Sequence, residues 1–285
     1  MVRVTNDLVR DMCPQRDGKG HKGTFGTVLI TAGCGTMSGA PCLCTGAALR
    51  SGAGLVRTFT QRGALLSTRV NLPCALLSAF EEDRTDNLRL GSRLLKKAAS
   101  AAIGPGIDLE DKRYADILDL YIREAERLVI DAGAITLISK NREYYLPLLK
   151  ERKTPAVLTP HIGEFKRLSG KEEDLEKEAL KMAEEINSVI VLKSSTTFIA
   201  DPEGESYILE EENSGLAKGG SGDVLTGLIS GLTAQGMSPI NAAISGVRIH
   251  SNCGILAREK YGERAMLPSD LPEFLPESFK MAGWN

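Results

Sequence analysis

The chain has 285 residues, of which 42% are hydrophobic and 25% charged, and its formal net charge is −2. This composition is typical of a globular protein with one large α/β domain or two small ones. With 5% aromatic residues and no long basic run, it argues against a nucleic-acid-binding or membrane-binding surface.

Apolar segments, cysteines and histidines bear on the location of the protein and on metal binding. No segment approaches 18 uninterrupted apolar residues, and the N-terminus has no apolar signal segment, so we expect neither export nor a membrane span. The six cysteines lack CxxC spacing, and the three histidines lie far apart. We therefore expect no zinc site and mostly buried, reduced thiols in a cytoplasmic protein.

Strand-like and helix-like runs alternate along the chain. The predicted strands are residues 25–32, 55–59, a short apolar run from 101, and then 128–131, 156–159, 189–193, 196–200 and 206–209, the last two as a hairpin. The predicted helices are 38–50, 114–125, 164–169, 172–186, 224–234 and 239–260, and residues 268–285 form a tail that packs on the body. Continuous apolar strands separated by helices indicate a parallel sheet covered on both faces.

Five turns directly follow predicted strands. They comprise residues 33–41, 104–106, 131–133, 159–161 and 193–195. Ligands of open α/β sheets bind at the carboxyl ends of the strands. We therefore expect these turns to line one crevice, with the alternative that each merely ends its strand.

A glycine-rich loop, Ala217-Lys-Gly-Gly-Ser-Gly-Asp223, precedes an apolar helix-like run. Backbone N–H groups at a helix N-terminus, together with the helix dipole, favour an anion. An adjacent carboxylate could act as a base, and phosphoryl transfer needs this combination. The simpler alternative is that Asp223 only caps the helix. The loop matches neither a Walker motif nor a dinucleotide fingerprint.

Several segments in a fixed order resemble one known family. They are Lys22-Gly-Thr-Phe-Gly26, Gly39-Ala-Pro41, Ala47-Ala-Leu-Arg-Ser-Gly-Ala-Gly-Leu-Val56, Gly104-Pro-Gly106, Leu158-Thr-Pro-His-Ile-Gly-Glu-Phe165, Val191-Leu-Lys193 with Thr197, and the loop ending at Asp223. This series resembles the ADP/ATP-dependent NAD(P)H-hydrate dehydratases, repair enzymes with a ribokinase-like fold. The resemblance runs from about Lys22 to the tail, and its most specific part is the Thr159-to-Phe165 segment, which sugar and vitamin kinases of this fold do not normally carry.

The resemblance implies an architecture and an assembly. The expected fold is a ribokinase-like α/β three-layer sandwich, a mostly parallel central sheet with helices on both faces. Residues 1–285 would form a single dehydratase domain without an epimerase domain, so that any epimerase would be a separate polypeptide. A symmetric homo-oligomer, a tetramer in some members of the family, is also expected.

The resemblance also implies a reaction and its residues. A nucleotide, ADP or ATP with Mg²⁺, would phosphorylate the ring hydroxyl of NADHX or NADPHX, after which loss of phosphate restores reduced nicotinamide. Asp223 would be the base, and the N–H groups of residues 219–222, including Gly220, Ser221 and Gly222, would hold the phosphoryl group. The implied nucleotide contacts are Lys193, Ser194, Ser195, Thr196, Thr197 and Gly222. The implied hydrate contacts are Ala40, Gly106, His161 and Asp223, and no metal ligand set is visible.

Each of these residues has a simpler structural alternative. Ala40 could only pack its helix, Gly106 only form a turn, and His161 only bond to the local backbone. Lys193 could be a solvated strand end, although a nearby phosphate explains it better. For Glu164 we prefer a role in the first turn of the following helix over one in orienting a metal.

Three positions depart from the pattern of the family. Asp131-Ala-Gly133 stands where Asp-Ala-Asp is common, which removes one carboxylate from the expected crevice. Ser194 replaces a glycine, and Lys218 replaces a frequent threonine. We expect the Lys218 cation to lie beside the phosphate site, where its charge would be favourable.

Two competing functions fit the same loop. A small-molecule alcohol kinase of this fold, acting on a vitamin or a sugar, would share Asp223 and the anion site. It would have no need of the Thr159-to-Phe165 segment. A non-catalytic nucleotide-binding subunit is the other alternative, but the retained Asp223 argues against it.

Overall fold

The computed structural model describes residues 1–284. Its strands are β1 (Val2–Arg3), β2 (Thr27–Thr31), β3 (Leu55–Thr60), β4 (Leu76–Ala79), β5 (Ser100–Ile103), β6 (Leu128–Ile130), β7 (Ala156–Leu158), β8 (Ser188–Lys193), β9 (Thr197–Ala200) and β10 (Ser206–Leu209). Its α-helices are α1 (Asn6–Arg10), α2 (Gly39–Arg50), α3 (Arg62–Asn71), α4 (Arg84–Leu95), α5 (Lys112–Glu124), α6 (Ala132–Lys140), α7 (Arg142–Lys150), α8 (Ile162–Ser169), α9 (Leu175–Glu185), α10 (Ser221–Ala234), α11 (Pro239–Ala265) and α12 (Leu275–Met281).

All the strands belong to one mostly parallel sheet. Its order is β1-β10-β9-β8-β7-β6-β5-β2-β3-β4. The strands from β8 to β4 are parallel, whereas β9 runs antiparallel to both of its neighbours. The carboxyl ends of β2, β5, β6, β7 and β8 therefore meet at one edge, so the five turns singled out in the sequence emerge on the same side of the sheet.

Helices cover both faces of the sheet. Successive strand residues alternate between two hydrophobic clusters, so that Val129 belongs to one cluster and Ile130 to the other. The first cluster includes residues of α1, α2, α10, α11 and α12, and the second includes residues of α4 to α9. The expected three-layer sandwich is confirmed, and its continuous apolar strands reflect burial on both faces.

The elements that the sequence pattern did not predict are β1, β4, α1, α3, α4, α6, α7 and α12, the last of which lies in the predicted tail. Strand β1 consists of only two residues, both exposed, and is defined by its parallel pairing with β10. Helix α4 buries only Asn87, Gly91 and Leu95, so it carries little apolar periodicity. The tail packs on the body as expected, with the indole of Trp284 donating to the carbonyl oxygen of Val9 at 2.8 Å, whereas Asn285 lies outside the described residues.

The long apolar helix α10 lies directly against α2. A Cβ atom added to Gly227 would lie 2.0 Å from the carbonyl oxygen of Cys44, and one added to Gly231 would lie 1.8 Å from Ser51 Oγ. Glycine at these positions lets the two helices approach closely. The N-terminus of α10 is thereby held at the carboxyl edge of the sheet. No helix within residues 1–284 has both the length and the apolar character needed to span a bilayer.

Candidate functional site

A crevice of about 780 Å³ lies at the carboxyl edge of the sheet. It is lined by turns that follow β6, β7 and β8 and by the glycine-rich loop before α10. The lining includes Asp131, Ala132, His161, Glu164, Lys193, Ser194, Ser195, Thr197, residues 216–223 and His250. Three of the five turns expected in one crevice thus line it, whereas the turns at residues 33–41 and 104–106 do not.

The loop before α10 carries backbone donors without acceptors. Within residues 1–284, the N–H groups of Gly219, Gly220, Gly222 and Asp223 have no hydrogen-bond partner, whereas that of Ser221 donates to the carbonyl oxygen of Lys218 at 3.2 Å. Gly220 has a φ of 106°, a left-handed conformation that favours glycine. The loop therefore offers a cluster of N–H groups at a helix N-terminus, an arrangement that binds anions.

Asp223 lies in the first turn of α10 and faces the crevice. Burial, together with the nearby Asp131 carboxylate, raises the pKa of its carboxyl group from 3.8 to about 7, and Lys193 opposes the shift. A carboxyl group with a pKa close to neutral is suited to accept a proton.

Asp131, Lys193 and Thr226 form a buried polar cluster beside this carboxyl group. The Lys193 ammonium lies 2.9 Å from Asp131 Oδ1, and Thr226 Oγ1 donates to Asp131 Oδ2 at 2.8 Å. Asp131 is 1% exposed. A Cβ atom added to Gly222 would lie 3.1 Å from Lys193 Nζ, so the ammonium group is close to the loop as well. Lys193 is therefore a partnered cation beside the anion site and not a solvated strand end.

The residues after Lys193 form the tight turn between β8 and β9. Ser194 donates from both its backbone N–H, at 3.1 Å, and its hydroxyl to the carbonyl oxygen of Thr196. Ser194, Ser195 and Thr197 line the crevice, and Thr196 does not. Three hydroxyl groups of the expected nucleotide segment are therefore placed where a ligand could contact them.

His161 caps α8. Its Nδ1 accepts from the N–H groups of Gly163 at 3.0 Å and Glu164 at 3.3 Å. The Glu164 carboxylate in turn accepts from the N–H of His161 at 2.9 Å, which completes a capping box. The expected helix role of Glu164 is confirmed. Because Nδ1 is an acceptor, Nε2 of neutral His161 carries the proton. Nε2 lies 3.5 Å from Glu164 Oε1, on a half-exposed ring that lines the crevice.

Ala40 and Gly106 contact each other outside the crevice lining. A Cβ atom added to Gly106, whose φ is 62°, would lie 2.6 Å from Ala40 Cβ. The turn that contains Gly106 also touches the site, because a Cβ atom added to Gly104 would lie 1.8 Å from the Asp131 carbonyl oxygen. Ala40 and Gly106 are therefore connected to the crevice through Gly104, which lies against the Asp131 backbone.

Three residues of the site were given no role of their own by the sequence analysis. Asp131 was expected at the crevice as part of the turn at residues 131–133, but no contact was assigned to its carboxylate. Thr226 and His250 lie within apolar helices, where nothing marked them. His250 is buried, its Nε2 lies 3.0 Å from the carbonyl oxygen of Ser221, and burial lowers its pKa to about 4, so the ring is neutral at pH 7.

The expected position of the Lys218 cation beside the phosphate site finds no support in the geometry, and no metal ligand set is found among the described residues. Within residues 1–284, no group of three His, Cys, Asp or Glu side chains could hold a metal ion. The Lys218 ammonium group binds the end of α11 at the carbonyl oxygens of Arg264 and Met266. It is therefore directed at a helix terminus, whose negative dipole end attracts it.

Comparisons with known proteins identify the family. A family model described as NAD(P)H-hydrate dehydratase matches residues 28–277. The chain is 37% identical, over 96% of its length, to the bifunctional NAD(P)H-hydrate repair enzyme Nnr of Moorella thermoacetica, and it spans 53% of that protein. It thus spans about half the length of bifunctional relatives of this kind. It is 32% identical to the ADP-dependent (S)-NAD(P)H-hydrate dehydratase of Bacillus subtilis, with 97% of each chain covered.

Solved structures agree with this assignment. The crystal structure of the ADP/ATP-dependent NAD(P)H-hydrate dehydratase from Bacillus subtilis, co-crystallized with ATP and Mg²⁺, matches with a TM-score of 0.84 and 31% identity, covering 99% of this chain and 98% of that one. A hydroxyethylthiazole kinase from Pyrococcus horikoshii, at 18% identity and a TM-score of 0.57, covers 98% of this chain and 92% of its own and shares only the fold. The chain belongs to the NAD(P)H-hydrate dehydratase family.

Proposed function

We propose that this protein dehydrates the S form of NADHX and NADPHX to NADH and NADPH, with a nucleotide as the phosphoryl donor. The observation that carries the proposal is the position of Asp223, whose carboxyl pKa is about 7, beside four unpartnered N–H groups at the start of α10. A base next to an anion site is the arrangement required to phosphorylate a hydroxyl group.

The reaction follows from this geometry in two steps. The oxygen of the ring hydroxyl attacks the terminal phosphorus of the nucleotide while Asp223 accepts the hydroxyl proton. The loop N–H groups stabilise the charge on the transferring phosphoryl group. Phosphate, a far better leaving group than hydroxide, then departs together with a ring proton. The products are inorganic phosphate, the shortened nucleotide and reduced nicotinamide.

Either ADP or ATP can serve as the donor in this proposal, with Mg²⁺ bound to its phosphates. The free loop N–H groups and the Lys193 ammonium group fit phosphate oxygens. Mg²⁺ in such sites is held largely by phosphate oxygens and water, which agrees with the lack of a three-ligand cluster in residues 1–284. Bound there, the ion would shield the phosphate charge. The hydroxyl groups of Ser194, Ser195 and Thr197 would contact the nucleotide.

The hydrate would lie on the opposite side of Asp223. His161 would contact it through Nε2–H, since its Nδ1 is already occupied by two backbone donors. Ala40 and Gly106 would shape the neighbouring wall, which is joined to the Asp131 backbone through Gly104. Cooperation with a separate epimerase, a single domain over residues 1–285, a tetramer and a cytoplasmic location stay predictions.

The decisive experiment mixes the protein with NADHX, Mg²⁺ and either ADP or ATP and follows the near-ultraviolet absorbance of reduced nicotinamide. We expect recovery of absorbance with one or both nucleotides and one phosphate released per NADH formed. Asp223→Asn should lower kcat by about 10²–10⁴-fold, because the amide cannot accept the proton.

Two results would refute the proposal. Unchanged turnover of Asp223→Asn would remove Asp223 as the base. Folded protein that binds nucleotide but recovers no NADH would favour an alcohol kinase if it phosphorylates a small alcohol, and a non-catalytic nucleotide-binding protein if it turns over no substrate.

A further inference from the structure

Lys218 immediately precedes the unpartnered N–H groups of the loop, yet its ammonium group is bound by backbone carbonyl oxygens of another element. Nζ donates to the carbonyl oxygen of Arg264 at 2.7 Å and to that of Met266 at 2.5 Å. Both carbonyl groups lie at the C-terminal end of α11. A cation bound there satisfies carbonyl groups that the helix cannot satisfy itself, and it interacts favourably with the helix dipole.

The end of α11 has a shape that exposes these carbonyl groups. Gly262 has a φ of 76° and a ψ of 155°, so the backbone leaves helical geometry four residues before Met266. The N–H of Met266 still donates to the carbonyl oxygen of Gly262 at 3.1 Å. The last turn is therefore held in place, with the oxygens of Arg264 and Met266 directed outward to accept from Lys218. Charge-assisted hydrogen bonds of this kind are stronger than neutral ones.

The loop that Lys218 anchors makes few other hydrogen bonds of its own. A Cβ atom added to Gly219 would meet no atom within 4 Å, whereas one added to Gly220, which adopts a left-handed conformation, would lie 2.6 Å from Leu43 Cδ1 and 3.4 Å from Pro268 Cβ. The loop is bounded on its other side by Ser221, whose carbonyl oxygen lies 3.0 Å from His250 Nε2. His250 also belongs to α11, so the Lys218 and Ser221 hydrogen bonds both attach the loop to this one helix. In the segment from Lys218 to Gly220, Lys218 supplies the only side chain.

We propose that Lys218 is a positioning residue, which anchors the glycine-rich loop to the C-terminal end of α11 and thereby fixes the N–H groups that receive the transferring phosphoryl group. The inference rests on the proposed phosphoryl transfer. Donors that are fixed before the reaction stabilise the transition state most, and a small displacement of such groups reduces the rate strongly. Lys218 therefore acts through the loop backbone, in contrast to a lysine that binds phosphate with its own charge.

Steady-state kinetics of matched variants separate these two roles. Lys218→Met should lower kcat by about 10–100-fold, with the KM for the nucleotide changed by less than about threefold, since the loss acts mainly in the transition state. Lys218→Arg should recover most of the activity, because a guanidinium group can donate to both carbonyl oxygens. Lys181→Met, which removes an exposed lysine of α9 that pairs with Glu185, should behave as the wild type.

Two kinetic results would overturn the proposal. A raised KM with an unchanged kcat in Lys218→Met would show that the ammonium group binds the nucleotide itself. Wild-type values of both constants, with only a lower unfolding temperature, would show that Lys218 merely stabilises the fold. If the methionine variant does not fold, Lys218→Gln, whose amide can donate to one of the two oxygens, takes its place.

Amide hydrogen exchange in the resting protein tests the anchor without any assumption about the reaction. The N–H groups of Ser221 and Val224 donate to the carbonyl oxygens of Lys218 and Gly220, so their protection reports on the loop. Both should exchange faster in Lys218→Met than in Lys181→Met. Unchanged exchange would refute the anchor even in an active enzyme. Faster exchange in a protein that recovers no NADH would support the anchor and refute the proposed function instead.

Discussion

The proposed base, Asp223, has two charged neighbours with opposite effects on its pKa. The Asp131 carboxylate raises the pKa of Asp223, and the Lys193 ammonium group lowers it. Lys193 and Asp131 are also ion-paired at 2.9 Å. Activity of a general base rises with pH through its pKa, so the acid limb of the pH profile of kcat/KM should report on Asp223 in the free enzyme.

Substitutions of the two neighbours should move this limb in opposite directions. Asp131→Asn removes a negative charge, which lowers the pKa of Asp223 and shifts the limb to lower pH. Lys193→Met removes a positive charge and shifts the limb to higher pH, and it also raises the KM for the nucleotide if Lys193 binds phosphate. The measurement is kcat/KM for NADHX between pH 5 and 9. Shifts of the same sign in both variants would show that another group titrates.

Among the elements, α10 depends most on close packing, because its backbone touches that of α2 at Gly227. A Cβ atom added there would lie 2.0 Å from a backbone oxygen, which no side-chain rotation can relieve. We expect Gly227→Ala to reduce the free energy of unfolding by about 3 kcal/mol, the upper range for overpacking. It should also lower activity, because it displaces the helix whose N-terminus carries the loop.

Gly46 of α2 provides the matched control. A Cβ atom added to it would lie 3.7 Å from a methyl group of Leu72, which is an ordinary contact. Gly46→Ala should therefore raise the free energy of unfolding by about 0.5–1 kcal/mol, since alanine restricts the unfolded chain and favours a helix. Urea unfolding of both variants measures these effects, and equal destabilisation would contradict the assigned helix contact.

The sequence predicted elements well where burial leaves a pattern. Strand β8 is a continuous apolar run and was predicted within one residue, because a parallel strand covered on both faces needs apolar residues throughout. Helix α7 was missed, because Pro147 lies inside it and only Tyr145 and Leu149 are buried. The Lys218 interaction could not be predicted from the sequence either. Its two acceptors are backbone oxygens of residues that lie 46 and 48 positions further along the chain, and no side-chain pattern marks a backbone oxygen as an acceptor.

At the scale of the whole molecule, two titratable groups of the site couple global stability to pH in opposite directions. His250 has a pKa lowered from 6.5 to about 4, so the unfolded chain binds the extra proton between these values, and stability rises as the pH increases. Asp223 has a pKa raised from 3.8 to about 7, so the folded protein holds the extra proton, and stability falls as the pH increases through this range. Of these two contributions to the free energy of unfolding, only that of Asp223 still changes above pH 6.5. Near pH 8 the folded protein carries the full destabilisation from the ionised Asp223.

Asp223→Asn should therefore stabilise the protein while it lowers turnover. Because the asparagine side chain is neutral at every pH, the variant should exceed the wild type at pH 8 by up to about 4 kcal/mol in free energy of unfolding. The two proteins should converge near pH 4, where Asp223 of the folded wild type is protonated. Denaturant unfolding at both pH values measures the difference. An equal difference at the two pH values would show that the carboxylate charge is not its cause. A higher free energy of unfolding of the variant at pH 8 alone would show that the ionised Asp223 destabilises the folded protein, as expected of a group placed for catalysis and not for stability.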